Sequence, residues 1–211
     1  MHPQGRRTAA FTLIELLAIT AVVALLLAVL LSGLSRMQPK AHRVACVSNL
    51  KEIGMSVRLF ATDHGDRYPP LATTNPVVWL VVDGRTNYAA GCFRALFLEL
   101  SKPRILVCPA DHREPAPSSQ TLTDSNVSYF INLEPEKTRP QMLLTGDRNL
   151  SVNGQAVPSG LLALRPDDRL GWTRELHRGM GNVALGDASV QSVTSERRSS
   201  SAGDTNRLAV P

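Results

Sequence analysis

The hydropathy pattern opens on an almost unbroken apolar run from Phe11 to Leu34, interrupted only by Thr12, Glu15, Thr20, Ser32 and Gly33. As a helix it spans roughly 36 Å at about 1.5 Å per residue, enough to cross the hydrocarbon core of a bilayer. Pro39 follows and is expected to kink or break the helix, because it deletes a backbone donor. The pattern then resumes: Cys46, Leu50, Ile53, Val57 and Phe60 recur at helical steps, while Arg43, Lys51, Glu52 and Arg58 fall largely on other faces. An amphipathic helix of this kind needs a surface for its stripe. Asp63-His64-Gly65-Asp66 supplies its stop, with Gly65 suited to the C-terminal cap.

Downstream the pattern shortens. The apolar run Val77 to Val82, ending in Asp83-Gly84, predicts a strand and turn or, alternatively, a buried helical turn. Phe93, Leu96, Phe97 and Leu100 are spaced for a short amphipathic helix. Ile105 to Val107, Tyr129 to Ile131 and Gln141 to Thr145 read as strands, the last leading into Gly146-Asp147-Arg148-Asn149. Asn182 to Leu185 and Ser189 to Val193, joined by Gly186-Asp187-Ala188, form the best hairpin signal. From Ser195 onward the composition leaves little to bury, so the end of the chain is expected to be disordered. The order of elements predicts an α+β fold: a long N-terminal helix packed on a small, mainly antiparallel sheet.

Glu15 changes this picture. A carboxylate near the start of a membrane-length apolar run costs several kcal/mol to insert and marks a functional site by default. Ahead of it lie the basic stub containing Arg6 and Arg7, the small Ala10, and Phe11-Thr-Leu-Ile-Glu15. Together these resemble the N-termini of type IV prepilins and type II secretion pseudopilins. The resemblance implies cleavage between Ala10 and Phe11 by a prepilin peptidase, N-methylation of Phe11, and an assembly role for Glu15 opposite the N-terminal amine of a neighbouring subunit. It also implies a single pass through the cytoplasmic membrane, N-terminus inside, with the remaining domain periplasmic or extracellular. Ala10 departs from the family, which usually has Gly there. An ordinary signal peptide cut near Leu31-Ser-Gly-Leu-Ser35, or a plain membrane anchor, leaves the Phe11–Glu15 motif unexplained.

A second resemblance covers most of the chain. Ser35-Arg36, Cys46 through Gly54, Tyr68-Pro69-Pro70, Cys108-Pro109 and a His177 followed nine residues later by Asp187 are similar to a large pseudopilin-like subfamily. That subfamily ends in a "His, nine residues, Asp-Gly" motif; Ala188 replaces the Gly here, and Gly186 is expected to take over the positive-φ position. The organisation so implied is a leader at 1–10, a transmembrane helix at 11–35, its amphipathic outer half at 36–64, a β-rich domain at 65–195 and a disordered tail at 196–211.

Composition adds little. The formal charge of +5 and pI near 9.5 fall on residues around the apolar run, such as Arg36, Lys40 and Arg43, and only 5% of the chain is aromatic, so no nucleic-acid partner is expected. Three cysteines leave at least one thiol unpaired, and no Cys-x-x-Cys spacing suggests a zinc ribbon. Cys46 and Cys108, both in the family-like motifs, are the expected disulfide; Cys92–Cys108 is the competing pair. His177 and Asp187 could be assembled on paper with Ser189 into a triad, but no Gly-x-Ser-x-Gly elbow accompanies them. They are expected to support the hairpin, Asp187 by bonding its own turn. Asp147, Asn149 and Asp187 are the oxygen donors available for a calcium ion; otherwise no cofactor is expected, and an Arg148–carboxylate bridge is the plainer reading. The function expected is a non-enzymatic, pilin-like subunit assembling with other pilin or pseudopilin subunits. The alternative is a membrane-tethered binding or enzymatic domain that uses a prepilin-type signal.

Overall fold

The computed structural model describes residues 12–69, 80–82, 85–100, 102–135, 139–193, 197–198 and 206–211, with the backbone alone for 32–38, 80–82, 85, 197–198 and 206. The expected cleavage site at Ala10 and Phe11 lies outside them. The chain divides into two compact units, Met1–Lys40 and Ala41–Pro211.

In the first unit, the helix α1 (Leu13–Asp63) begins with a capping box. Glu15 N–H donates to Thr12 Oγ1 at 3.3 Å, and Thr12 N–H donates back to Glu15 Oε2 at 3.0 Å, satisfying two donors that a helix start leaves open. Residues Leu13–Leu31 have a mean hydropathy of 2.8 and no buried side chain, so the segment is long and apolar enough to cross a membrane. Pro39 lies inside α1 and does not end it; one missing donor is not enough to stop a helix with strong propensity on both sides.

In the second unit, α1 buries its stripe. Cys46, Leu50, Ile53 and Val57 are fully buried and Phe60 nearly so. The stripe packs on a six-stranded antiparallel sheet built from β3 (Tyr129–Asn132), β4 (Leu143–Asp147), β7 (Gly160–Leu164), β9 (Gly181–Leu185), β10 (Val190–Val193) and β12 (Asn206–Val210). Their order across the sheet is β10-β9-β4-β3-β12-β7. Strand alternation divides the buried residues into two cores. Tyr129, Ile131, Leu144, Ala184 and Ala209 face the helix, together with α2 (Tyr88–Ala95). Phe130, Leu143, Val183, Leu185, Leu208 and Val210 face the opposite way, toward Leu150, Leu170 and Trp172. Those belong to a four-stranded antiparallel sheet of β5 (Leu150–Val152), β6 (Gln155–Ala156), β8 (Arg169–Trp172) and β11 (Arg197–Arg198), in the order β11-β8-β5-β6. A two-stranded ribbon, β1 (Leu80–Val82) with β2 (Arg85–Asn87), precedes α2. The second unit is thus helix, sheet and sheet, each layer burying the apolar face of the next.

Three local expectations are corrected. Residues 206–210 are not a disordered tail: β12 pairs with both β3 and β7, and Leu208 and Ala209 are completely buried. Two sheet neighbours compensate a short segment for the polar stretch before it. Ile105 to Val107 is not a strand, since Pro103–Leu106 forms a 3-10 turn started by proline, with Leu106 buried. In the hairpin, the left-handed residue is Ala188, at φ 62°, and not Gly186. Gly186 is required for another reason: a Cβ there would sit 2.8 Å from the Arg139 carbonyl oxygen. Gly54 lets α1 approach that turn, where an added Cβ would meet the Ala188 Cβ at 3.4 Å.

Candidate metal centre

Four donor side chains converge where the helix stripe, the end of β4 and two loops meet. Cys46 enters from the buried face of α1. Cys108 follows the 3-10 turn and is held by a tight bend in which Asp111 N–H donates to the Cys108 carbonyl at 2.8 Å. Asp147 ends β4 opposite Tyr129 of β3. His177 comes from the loop before β9, where His177, Arg178 and Gly179 all have positive φ, at 48°, 59° and 86°. A left-handed conformation at a residue other than glycine costs on the order of 1–3 kcal/mol and persists only where the surroundings impose it. Part of that imposition comes from Asn149, whose amide donates to the carbonyls of Thr173 (2.7 Å) and Leu176 (3.3 Å).

Cys46 and Cys108 are joined by a disulfide with a Cα–Cα distance of 5.4 Å; Cys92 is a buried free thiol. His177 Nε2 lies 3.3 Å from Cys108 Sγ and 3.7 Å from Asp147 Oδ2. The donor atoms of Cys46, Cys108, Asp147 and His177 all fall within 4.8 Å of one another. For comparison, tetrahedral bonds of about 2.0–2.3 Å put ligand atoms about 3.3–3.8 Å apart, so an ion would need the disulfide reduced, its sulfurs parted and shifts on the order of an ångström.

The electrostatics fit a ligand set better than a structural brace. Asp147 is completely buried; its Oδ2 accepts from Asn182 N–H at 2.7 Å and the Asn182 amide at 2.9 Å. Its Oδ1 is buried with no hydrogen-bond partner among the described residues. Burial pushes this carboxyl up to about 7, against the bonds from Asn182 and the charge of Arg43. Burial also lowers His177, helped by the charges of Arg43 and His42, which favours the neutral imidazole that a metal requires. By contrast, burial pushes the Cys92 thiol up to about 12, as expected of an inert core cysteine. Cys108 also lines a cleft of about 380 Å³ with Asn49, Lys102, Arg104, Asp111 and Arg113.

Two expectations are overturned here. A chain with no chemistry of its own does not fit four side chains able to ligate a metal gathered in one buried place. Calcium, or no cofactor at all, does not fit either, because sulfur and imidazole donors select transition metals such as zinc, whereas calcium takes oxygen. The calcium candidates are dispersed. Asp187 accepts from Ser189 N–H in its own turn at 2.8 Å, Asn149 clamps the His177 loop, and Asp147 joins the cysteines. Sequence reasoning tied His177 to Asp187, whereas the fold brings His177 to Asp147 and Cys108. The signal lay in the second resemblance: Cys46, Cys108 and His177, three of the four donors, are motif positions.

No protein-family model, no curated protein and no solved structure matches the chain.

Proposed function

We propose that this chain is a membrane-tethered protein whose outer domain holds a transition metal, zinc by its donor chemistry, on Cys46, Cys108, Asp147 and His177 when the cysteines are thiolates. The observation carrying this reading is the convergence of the four donors within 4.8 Å of one another, one of them a buried carboxylate with an oxygen that has no hydrogen-bond partner among the described residues. Two thiolates, an imidazole and a carboxylate make up a four-coordinate zinc set. Asp147, the hardest donor, is the one suited to leave and open a position for water or substrate, as catalytic zinc requires. The apolar segment Leu13–Leu31 supports the tether, and the prepilin-type start supports cleavage after Ala10 with the domain outside the cytoplasmic membrane.

The test is cobalt(II) as a spectroscopic substitute for zinc, added to the full chain in detergent after reduction by a phosphine. One cobalt per chain with thiolate charge-transfer bands, displaced by zinc and lost in His177→Ala, is the expected result. A reduced, folded chain without those bands defeats the reading.

A second reading, assembly with other pilin-type subunits into a pilus or pseudopilus, is favoured by the helix-on-sheet architecture and by Glu15 at the head of α1. It is compatible with the first. Glu15→Val should insert into membranes yet fail to enter filaments, and normal filament yield from that variant would exclude a role for Glu15 in assembly.

A further inference from the structure

We infer that the Cys46–Cys108 disulfide is the locked state of this centre, and that reduction by a dithiol, rather than metal concentration alone, decides when it loads. The inference rests on the metal reading above. A disulfide sulfur has no anionic charge to offer, whereas metal binding needs both thiolates, so bond and metal exclude each other. The other half of the centre is already in place in the oxidised chain, with His177 Nε2 3.3 Å from Cys108 Sγ and Asp147 Oδ2 3.7 Å from His177.

A disulfide that merely staples a helix to a domain has no need of these neighbours. Apolar packing would serve it better than a buried carboxylate whose Oδ1 has no hydrogen-bond partner among the described residues and a histidine held on a left-handed backbone. Cys108 is completely buried, but it borders the cleft beside Asn49 and Arg113, so a local opening there brings a reductant to it. Of the two buried sulfurs, the one whose residue borders the cleft is the one assigned to the reductant. Its thiolate attacks Cys108 Sγ and releases Cys46 as a thiolate; the second thiol of the reductant then resolves the mixed disulfide and frees Cys108. Two electrons pass from the dithiol to the protein disulfide. With a divalent metal taken up, the products are the dithiolate–metal centre, the reductant's disulfide and two protons.

Linkage gives the size of the effect. A metal present at 100 times its Kd for the reduced chain raises the ratio of reduced to oxidised protein about 100-fold, or ~60 mV for a two-electron couple. The test poises the full chain in detergent, carrying Cys92→Ser to simplify the thiol count, in dithiol/disulfide buffers of graded ratio with and without zinc. After an acid quench and zinc removal, alkylation mass shifts count free thiols. The midpoint should move by ~60 mV toward easier reduction at that zinc level, and the air-oxidised chain should bind zinc at least 100-fold more weakly than the reduced one. His177→Ala should keep the disulfide but lose the zinc-dependent shift, its midpoint being compared with and without zinc on the same variant. If the reduced chain binds zinc while the oxidised chain binds it equally well, or the midpoint stays fixed, the lock is wrong and the metal reading stands. If the reduced chain is folded but binds no zinc, the metal reading itself falls.

Discussion

Asp147 and Arg148 are adjacent, and β4 ends between them in a bend at Arg148, so the two side chains reach opposite kinds of polar cluster. Arg148 grips Asp111 with two bonds, at 2.7 and 3.0 Å, and also bonds Glu175. Ser128 donates to the same Asp111 carboxylate at 2.8 Å, and Arg113 stands 3.8 Å away while bonding the carbonyls of Asp124, Val127 and Pro211. Every charge there has a counterpart. On the Asp147 side, Asp147 Oδ1, Asn149 Oδ1 and Arg43 Nε are buried without partners among the described residues. A satisfied cluster braces the fold; the unsatisfied one, beside the disulfide and an imidazole, is where the proposed metal would sit.

The two clusters should respond differently to perturbation, and the largest effect belongs to the disulfide. Its loop of 62 residues predicts that reduction of the metal-free chain costs about 4 kcal/mol of stability in the chain-entropy model. Zinc at about 1,000 times its Kd should restore a similar amount, ~4 kcal/mol. Denaturant unfolding of the reduced chain with and without zinc checks both, and no gain from zinc would make the Asp147 side a brace like the other. Next, Arg148→Ala strands the buried Asp111 and should cost about 3 kcal/mol, with zinc affinity unchanged. A loss of zinc binding in that variant would show that the two clusters are coupled.

Asp147→Asn should do the reverse. It keeps the shape and the Asn182 bonds through the amide oxygen, so stability should stay within about 1 kcal/mol. Zinc affinity should fall at least tenfold, by roughly the 10–100-fold loss that even outer-sphere partners cause. Isothermal titration on the reduced variant separates the two effects. The smallest effect is acid sensitivity. Burial alone would raise Asp111, but the bonds from Arg148 and Ser128 and the charges of Arg148 and Arg113 hold it below the usual carboxylate range. A depressed folded pKa contributes stability above the unfolded value, about 3.9, and loses it as pH falls through the folded value. Melting temperatures below pH 4 should therefore drop faster for the parent than for Asp111→Asn; parallel curves would remove the brace.

Much of the helix layer was legible in the sequence. The steps from Cys46 to Phe60 give a stripe that no other structure explains, and the Asn182–Val193 hairpin announces itself by its turn. The four-stranded sheet was not legible, because β5, β6 and β11 are only two or three residues long and carry too few apolar positions to show a period. Residues Leu208 to Val210 offer three apolar positions after a polar stretch, and only the gap between β3 and β7 makes a strand of them. At the site, the donors could be read singly but not as a set. In sequence Arg148 argues against an ion site at Asp147, yet its guanidinium is engaged by Asp111 and Glu175 instead.

The position of β12 also has a consequence in time. Until residues 206–210 leave the ribosome, β3 and β7 each keep an unpaired edge. Between the synthesis of Asn132 and that of Asn206, at about 5–20 residues per second, roughly 4–15 s pass. During that interval Cys46 and Cys108 already exist and can meet. The Cys46–Cys108 bond is thus free to form before the sheet beneath it is closed, and the half-built domain must be kept from pairing its bare strands with a neighbour's.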